Sequence, residues 1–184
     1  GNSRVQVFDQ DGNYLSQFGS NGSGDGQFLA AYRIAINSFG NIYVSDFGAN
    51  SIKIFDSNGS YLAQFGGFGT GDGQLSNPRG VTIDQNDNVH VVDSDNSRIQ
   101  KFDKDGNFLS TLGSQGFGND QFNYPRDIKI DSIGNIYVSD GITFRIQKFD
   151  SNGNFISQLS GTGSGDGQFM TPRGLAIDSD DNLY

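Results

Sequence analysis

The sequence predicts an all-β protein made of four copies of one unit, and three observations carry that expectation. The first is a 47-residue period. Phe8, Phe55, Phe102 and Phe149 are each followed by Asp, and both the Gln27, Gln74, Gln121, Gln168 series and the Ile36, Ile83, Ile130, Ile177 series keep that interval. The second is the short length of the apolar runs, which are rich in Phe, Tyr, Ile and Val, with no stretch of roughly ten residues at helical spacing. The third is the Asp, Asn and Gly punctuation between those runs.

The second copy shows each element in turn. Gly80 to Asp84 is a compact apolar run after "NP", and Asn88 to Asp93 alternates with period two. Ser97 to Asp103 and Asn107 to Gly113 follow as a third and a fourth strand. The turns joining the last two read "FDQDGNY", "FDSNGSY", "FDKDGNF" and "FDSNGNF". Asp at the entry caps backbone amides, and Gly sits where φ turns positive. The other hairpin reads "NSFGN", "DQNDN", "DSIGN" and "DSDDN". Asp replaces Gly there because it tolerates the left-handed region.

Four-stranded units at a fixed period, each too small to bury its own faces, read as blades of a β-propeller. The expected blades are residues 29–75, 76–122 and 123–169, with a further blade shared between residues 1–28 and 174–184 in one domain spanning 1–184. An open arc would leave two apolar blade faces in water, so self-association through those faces is an expectation. Closed four-blade ring, paired half-rings and fragment of a longer repeat protein all fit, and the fragment is favoured.

The stretch "NPRGVTIDQNDNVHVVDSDNSRIQKFDKDGNFLSTLG" resembles the NHL repeat. That signature has a Pro-x-Gly-apolar strand, an Asn-apolar-Tyr-Val-x-Asp strand and an Asn-x-Arg-Ile-x-x-Phe strand. The resemblance implies NHL-type blades, usually six to a ring, and is specific for fold rather than activity. Enzymes of similar fold, the amidating lyases, streptogramin lyases and lactonases, depend on histidines, glutamates and metal ions. This chain has one His and no Glu, so the resemblance carries no catalytic residue, metal or cofactor onto it. The expectation is a binding or scaffold module that is not an enzyme, for protein or glycan ligands. The alternative is part of a hydrolase or lyase whose His, Glu and metal ligands lie outside this chain.

The recurring "SGDGQF" (Ser23 to Phe28) falls between the last strand of one blade and the first of the next, which makes it a connector. A phosphate loop would need the Lys-Ser/Thr pair and a following helix. "DQDGN" and "DKDGN" resemble the start of a calcium loop without its later ligands, so Asx-stabilised turns are the better reading.

Composition narrows the partners. The net charge is −9, and all 21 acids are Asp. Such a surface repels phosphate backbones, and no basic cluster opposes it, so nucleic acid is not an expected partner. RNA-binding members of the family present a basic face, from which this chain departs. No apolar run approaches the roughly 18 residues of a membrane span, and the opening residues do not read as a signal peptide. Cys is absent, which excludes disulfides and thiolate metal sites. The Gly, Ser, Asn and Asp content without Cys points to an extracellular or cell-surface setting.

Candidate site residues lie at one end of the blades, where the loops between second and third strands differ from copy to copy. These loops are "DFGAN", "DSDNS" and "DGITF", with Phe47, Asp95, Ile142 and Phe144 as distinctive side chains. A second group is Arg79, Arg126 and Arg173, which follow Pro at one repeat position near the channel mouth, with Tyr32 in their place in the first copy. They either hold a carboxylate or sulfate ligand or pair with nearby Asp, and so Asp-rich a chain favours pairing. Asp46, Asp93 and Asp140 end the second strands and read as structural, holding the loop or meeting Arg98 and Arg145. His90 stands where other copies have Tyr43, Tyr137 and Tyr184, as a tyrosine replacement in a packed strand.

Overall fold

The computed structural model describes residues 2–184 and contains strands, turns and loops. The N-terminal hairpin is β1 (Val5–Phe8) and β2 (Tyr14–Phe18), which pair with each other. Three four-stranded antiparallel blades follow. The first is β3 (Ala31–Ile36), β4 (Ile42–Asp46), β5 (Ser51–Phe55) and β6 (Tyr61–Gly66). The second is β7 (Pro78–Ile83), β8 (Val89–Asp93), β9 (Arg98–Phe102) and β10 (Phe108–Leu112). A two-residue parallel ladder, β11 (Ser114–Gln115) with β12 (Gln121–Phe122), forms the next connector. The third blade is β13 (Pro125–Ile130), β14 (Ile136–Asp140), β15 (Arg145–Phe149) and β16 (Phe155–Ser160). At the C-terminal end a bridge joins Ile177 to Leu183.

The four copies therefore make three blades and two half-blades. The expected pairing of both termini into one shared blade is not made among the described residues. Val5 and Phe18 of the N-terminal hairpin pack on the first blade, against a cluster containing Phe28 and Phe55. Leu175 and Leu183 pack on the third blade, near Tyr137 and Ile146. Each half is thus committed to a different blade face.

The core lies between blades. Tyr43 and Ile54 of the first blade meet Val81, Val89 and Phe102 of the second. Val92 and Ile99 meet Ile128, Val138 and Phe149 of the third. Within each outer hairpin an aromatic pair recurs edge to face, as in Phe102 with Phe108 at 6.2 Å and Phe149 with Phe155 at 6.1 Å.

The connectors explain their own sequence. In all four, the Gln side-chain oxygen accepts the amide of the glycine three residues earlier, at 3.0 Å for Gln27 with Gly24 and 2.9 Å for Gln168 with Gly165. The preceding Gly22, Gly69, Gly116 and Gly163 leave the space that this amide fills, since a Cβ there would stand within 2.2 Å of the Gln oxygen. Phe28, Leu75 and Phe122 then plug the core.

One copy breaks an internal rule. Gln100 and Gln147 are fully buried and bond the backbone of the connector beside them, while Lys53 at the same repeat position is also buried and among the described residues reaches only the Gly24 carbonyl, at 3.1 Å. Burying an ammonium with a single neutral acceptor is unfavourable. Lys53→Gln should therefore stabilise the chain by about 1 kcal/mol, read as a rise in the urea midpoint at unchanged slope.

Candidate functional site

The loop end is organised by carboxylates that do structural work. Asp46, Asp93 and Asp140 are fully buried at the ends of β4, β8 and β14. Asp46 accepts the amides of Leu29 and Ala30, Asp93 that of Ser76 and Asp140 that of Asn123, so each ties its blade to the incoming connector. Asp93 also takes Arg98 Nε at 2.7 Å. Arg145 makes no such bond to Asp140; its Nη atoms donate to the carbonyls of Phe117, Gly118 and Gln121 and to Gln158. Burial lowers its pKa from the ordinary guanidinium value.

At the starts of β3, β7 and β13, rings and guanidiniums alternate. The Arg79 guanidinium carbon lies 5.3 Å from the Tyr32 ring, 5.0 Å from Tyr124 and 5.8 Å from Phe47. Arg126 lies 5.2 Å from Tyr124, and Arg33 lies 5.0 Å from Tyr32. Arg79 Nη2 donates to the Tyr124 hydroxyl at 2.8 Å. Tyr32 and Phe47 meet edge to face at 5.9 Å. Stacking orders these guanidiniums while leaving their N–H edges available to other groups.

Of the expected site residues, the structure brings Tyr32, Phe47, Arg79 and Arg126 together. Asp95 is exposed and accepts from Asn77 Nδ2, which also reaches the Tyr124 hydroxyl, so it borders the row. Ile142 is 47% exposed, Phe144 is half-buried, and Arg173 is exposed with no ion pair among the described residues. The expectation that each arginine pairs with a nearby Asp is corrected: neither Arg79 nor Arg126 has a carboxylate partner among the described residues. The carboxylates are already taken by backbone amides. The arginine that does pair is Arg33, whose Nε lies 3.3 Å from Asp127 Oδ2.

Two residues were missed from sequence. Tyr124, which stands between Arg79 and Arg126, has φ of 66°, and Asp127 holds Arg33 together with the Leu175 and Ile128 amides. Phe144 likewise has φ of 54°, where Asn50 and Ser97 stand at the same repeat position. Bulky side chains in the left-handed region cost roughly 1–3 kcal/mol and mark positions held for a reason beyond stability.

His90 is buried in β8, as expected of a tyrosine replacement, with Nε2 3.1 Å from Asp84 Oδ2 and Lys101 Nζ 2.9 Å from the same carboxylate. Burial raises the Asp84 pKa, but the bonds from His90, Asn88 and Lys101 outweigh it and hold the carboxyl well below its ordinary range. Burial, opposed by the Asp84 bond, lowers His90. In the first blade the Tyr43 hydroxyl crosses to the Lys104 carbonyl of the second at 2.8 Å. At the next interface His90 lines a cleft of ≈ 350 Å³ with Ser110, Thr111 and Ser151 instead. In the third blade Asp131, Tyr137 and Lys148 form the tyrosine version, with Lys148 Nζ 4.9 Å from the ring.

His90→Tyr should therefore fill the cleft and stabilise the fold by about 1 kcal/mol. It should also flatten the pH dependence. With His90 lowered, the unfolded chain binds more protons just below about pH 6.5, so stability falls as pH drops through that value. His90 is the only histidine, and urea midpoints at about pH 7.5 and about pH 5.5 for both proteins check the change.

Among the described residues no group of three or more His, Cys, Asp or Glu is placed to hold a metal ion. Among those residues no helix is long and apolar enough to cross a membrane.

Consecutive four-stranded antiparallel blades of this kind, with the variable loops at one end, define the chain as a β-propeller. Residues 75–102 match the model of the NHL repeat, within the stretch that carries the sequence resemblance. No curated protein matches it. Among solved structures, a protein of unknown function from Bacteroides thetaiotaomicron is 19% identical with a TM-score of 0.76, covering 100% of this chain and 50% of that one. A streptogramin B lyase is 18% identical with a TM-score of 0.71, covering 99% of this chain and 54% of the lyase. Virginiamycin B lyase from Staphylococcus aureus is 17% identical with a TM-score of 0.70, over 99% and 55%. The chain spans about half the length of these structures.

The expectation that this is not an enzyme is corrected by these neighbours, which include lyases. A count of His and Glu over half the length of such a structure does not separate this chain from enzymes. At these identities the likeness shows the fold alone.

Proposed function

We propose that the chain is a ligand-recognition module that binds a protein or glycan at the loop end of the propeller. The observation that carries this reading is where the copies differ. The tight turns at the opposite end repeat one another with the same Asp-capped bonds, as at Asp9, Asp56, Asp103 and Asp150. The loop end carries Phe47, Ile142, Phe144, Tyr32 and Tyr124, each at a position where other copies hold something else, beside the recurring Arg79 and Arg126. Variation on a rigid scaffold is the arrangement binding surfaces use. Glycan and protein arrays identify ligands. Phe47→Ser combined with Ile142→Ser should then weaken binding about tenfold or more, while Phe39→Ser at the tight-turn end should not. The reverse pattern would place recognition elsewhere.

A second reading, assembly through blade faces, is favoured by one surface. Phe8, Ile34 and Ile36 are 52%, 45% and 60% exposed and line an apolar groove of ≈ 380 Å³ beside the N-terminal hairpin. Light scattering across a concentration series tests it: a constant monomer mass rejects it.

A further inference from the structure

We infer that Arg79 and Arg126 form an anion subsite whose ligand is a carboxylate group; this rests on the reading of the loop end as the recognition face. Both guanidiniums are half-buried, and both Nε atoms are buried without a hydrogen-bond partner. Arg79 makes one hydrogen bond, to the Tyr124 hydroxyl, and Arg126 makes none among the described residues, its contact being the Tyr124 ring. Partly buried cations left this way are costly unless something accepts from them.

The nearby acids are committed elsewhere. Asp140 accepts the amides of Asn123, Ile142 and Thr143; Asp127 holds Arg33 and the amides of Ile128 and Leu175; Asp95 takes Asn77. In a chain of net charge −9, two guanidiniums have thus been kept out of ion pairs at one point on the surface.

Two further features hold the arrangement in place. Tyr124 stands between the arginines with φ of 66°, where the same repeat position has Asn77 and Thr171, residues that leave no ring there. Gly141 makes room for Arg126: a Cβ there would lie 2.1 Å from Arg126 Nε. A planar carboxylate matches the paired N–H edge of a guanidinium, and the charge-assisted bonds so formed are the strong ones.

The test uses the full chain labelled with nitrogen-15 and follows the arginine Nε–H signals during titration with sodium glucuronate, sodium acetate and glucose. Glucuronate should move the Arg79 and Arg126 signals saturably, less so at raised salt, while glucose leaves them in place. Acetate acting as well as glucuronate means a bare carboxylate suffices; glucuronate alone acting means the carboxylate is read on a sugar. Either supports the subsite. Arg126→Gln should weaken the response about tenfold or more, with the Arg98 signal, locked to Asp93, reporting an intact fold. Tyr124→Asn, which relieves the left-handed strain, should raise the melting temperature and still weaken the anion. Arg79 and Arg126 signals that stay still with glucuronate, that move equally with glucose, or that respond unchanged in Arg126→Gln would overturn the inference. A loop-end ligand that depends on Phe47 and Ile142 but not on Arg126 would overturn it while leaving the recognition face standing.

Discussion

Asp93→Ala is expected to lower the unfolding free energy by about 3–5 kcal/mol, the range for removing one partner of a buried charged network. The Asp93 carboxylate is fully buried and accepts from the Ser76 amide, Asn96 Nδ2, Arg98 Nε and Gln100 Nε2. Alanine would leave the Arg98 side chain, itself only 13% exposed, without its counter-charge. It would also free the connector that Asp93 holds. Asp93→Asn keeps the shape and one acceptor, so its loss should be smaller. Urea denaturation of the three proteins decides the matter, and an alanine variant within about 1 kcal/mol of the parent would show that the network is dispensable.

Asp127→Ala should cost about 2–3 kcal/mol, because one carboxylate serves three inner segments. Its oxygens take the Ile128 amide of β13, the Leu175 amide of the C-terminal half-blade and Arg33 of β3. Most of the loss comes from the Leu175 amide, which is buried and has no other acceptor among the described residues. Arg33 is about one-third exposed, so solvent screens its share. A double-mutant cycle with Arg33→Met should return a coupling of about 1 kcal/mol or less, and a coupling equal to the whole loss would reverse that assignment.

Most of the fold was legible because it is local. The period, the four short runs and the Asp-entered turns are properties of contiguous residues, and the strands fall where those runs are. Asp46, Asp93 and Asp140 were recognisable as structural because they recur. The site was harder. Counting Asp suggested that the arginines were paired, but a count does not reveal which carboxylates backbone amides already occupy, as at Asp140. Tyr124 drew no notice because it lies in a connector, and its importance comes from a backbone angle. Asp127 and Arg33 escaped because comparison within a copy treats each as a stray departure. The signal was there in one column: positions 33, 80, 127 and 174 read Arg, Gly, Asp, Gly, with opposite charges two copies apart. The shared terminal blade was expected from strand bookkeeping alone, which does not register that each half already has a face to cover.

That column also bears on how the copies relate to one another. A tandem array of like units can gain or lose a member by recombination, since any unit fits beside any other. Arg33 and Asp127 weigh against that freedom here. Excising 47 residues between them would preserve every turn and connector yet bring the arginine's partner one blade nearer, and duplicating a unit would carry it one blade further. The ion pair measures a distance of two units, so it acts as a counter of copies, and the array has become a molecule with addressed positions.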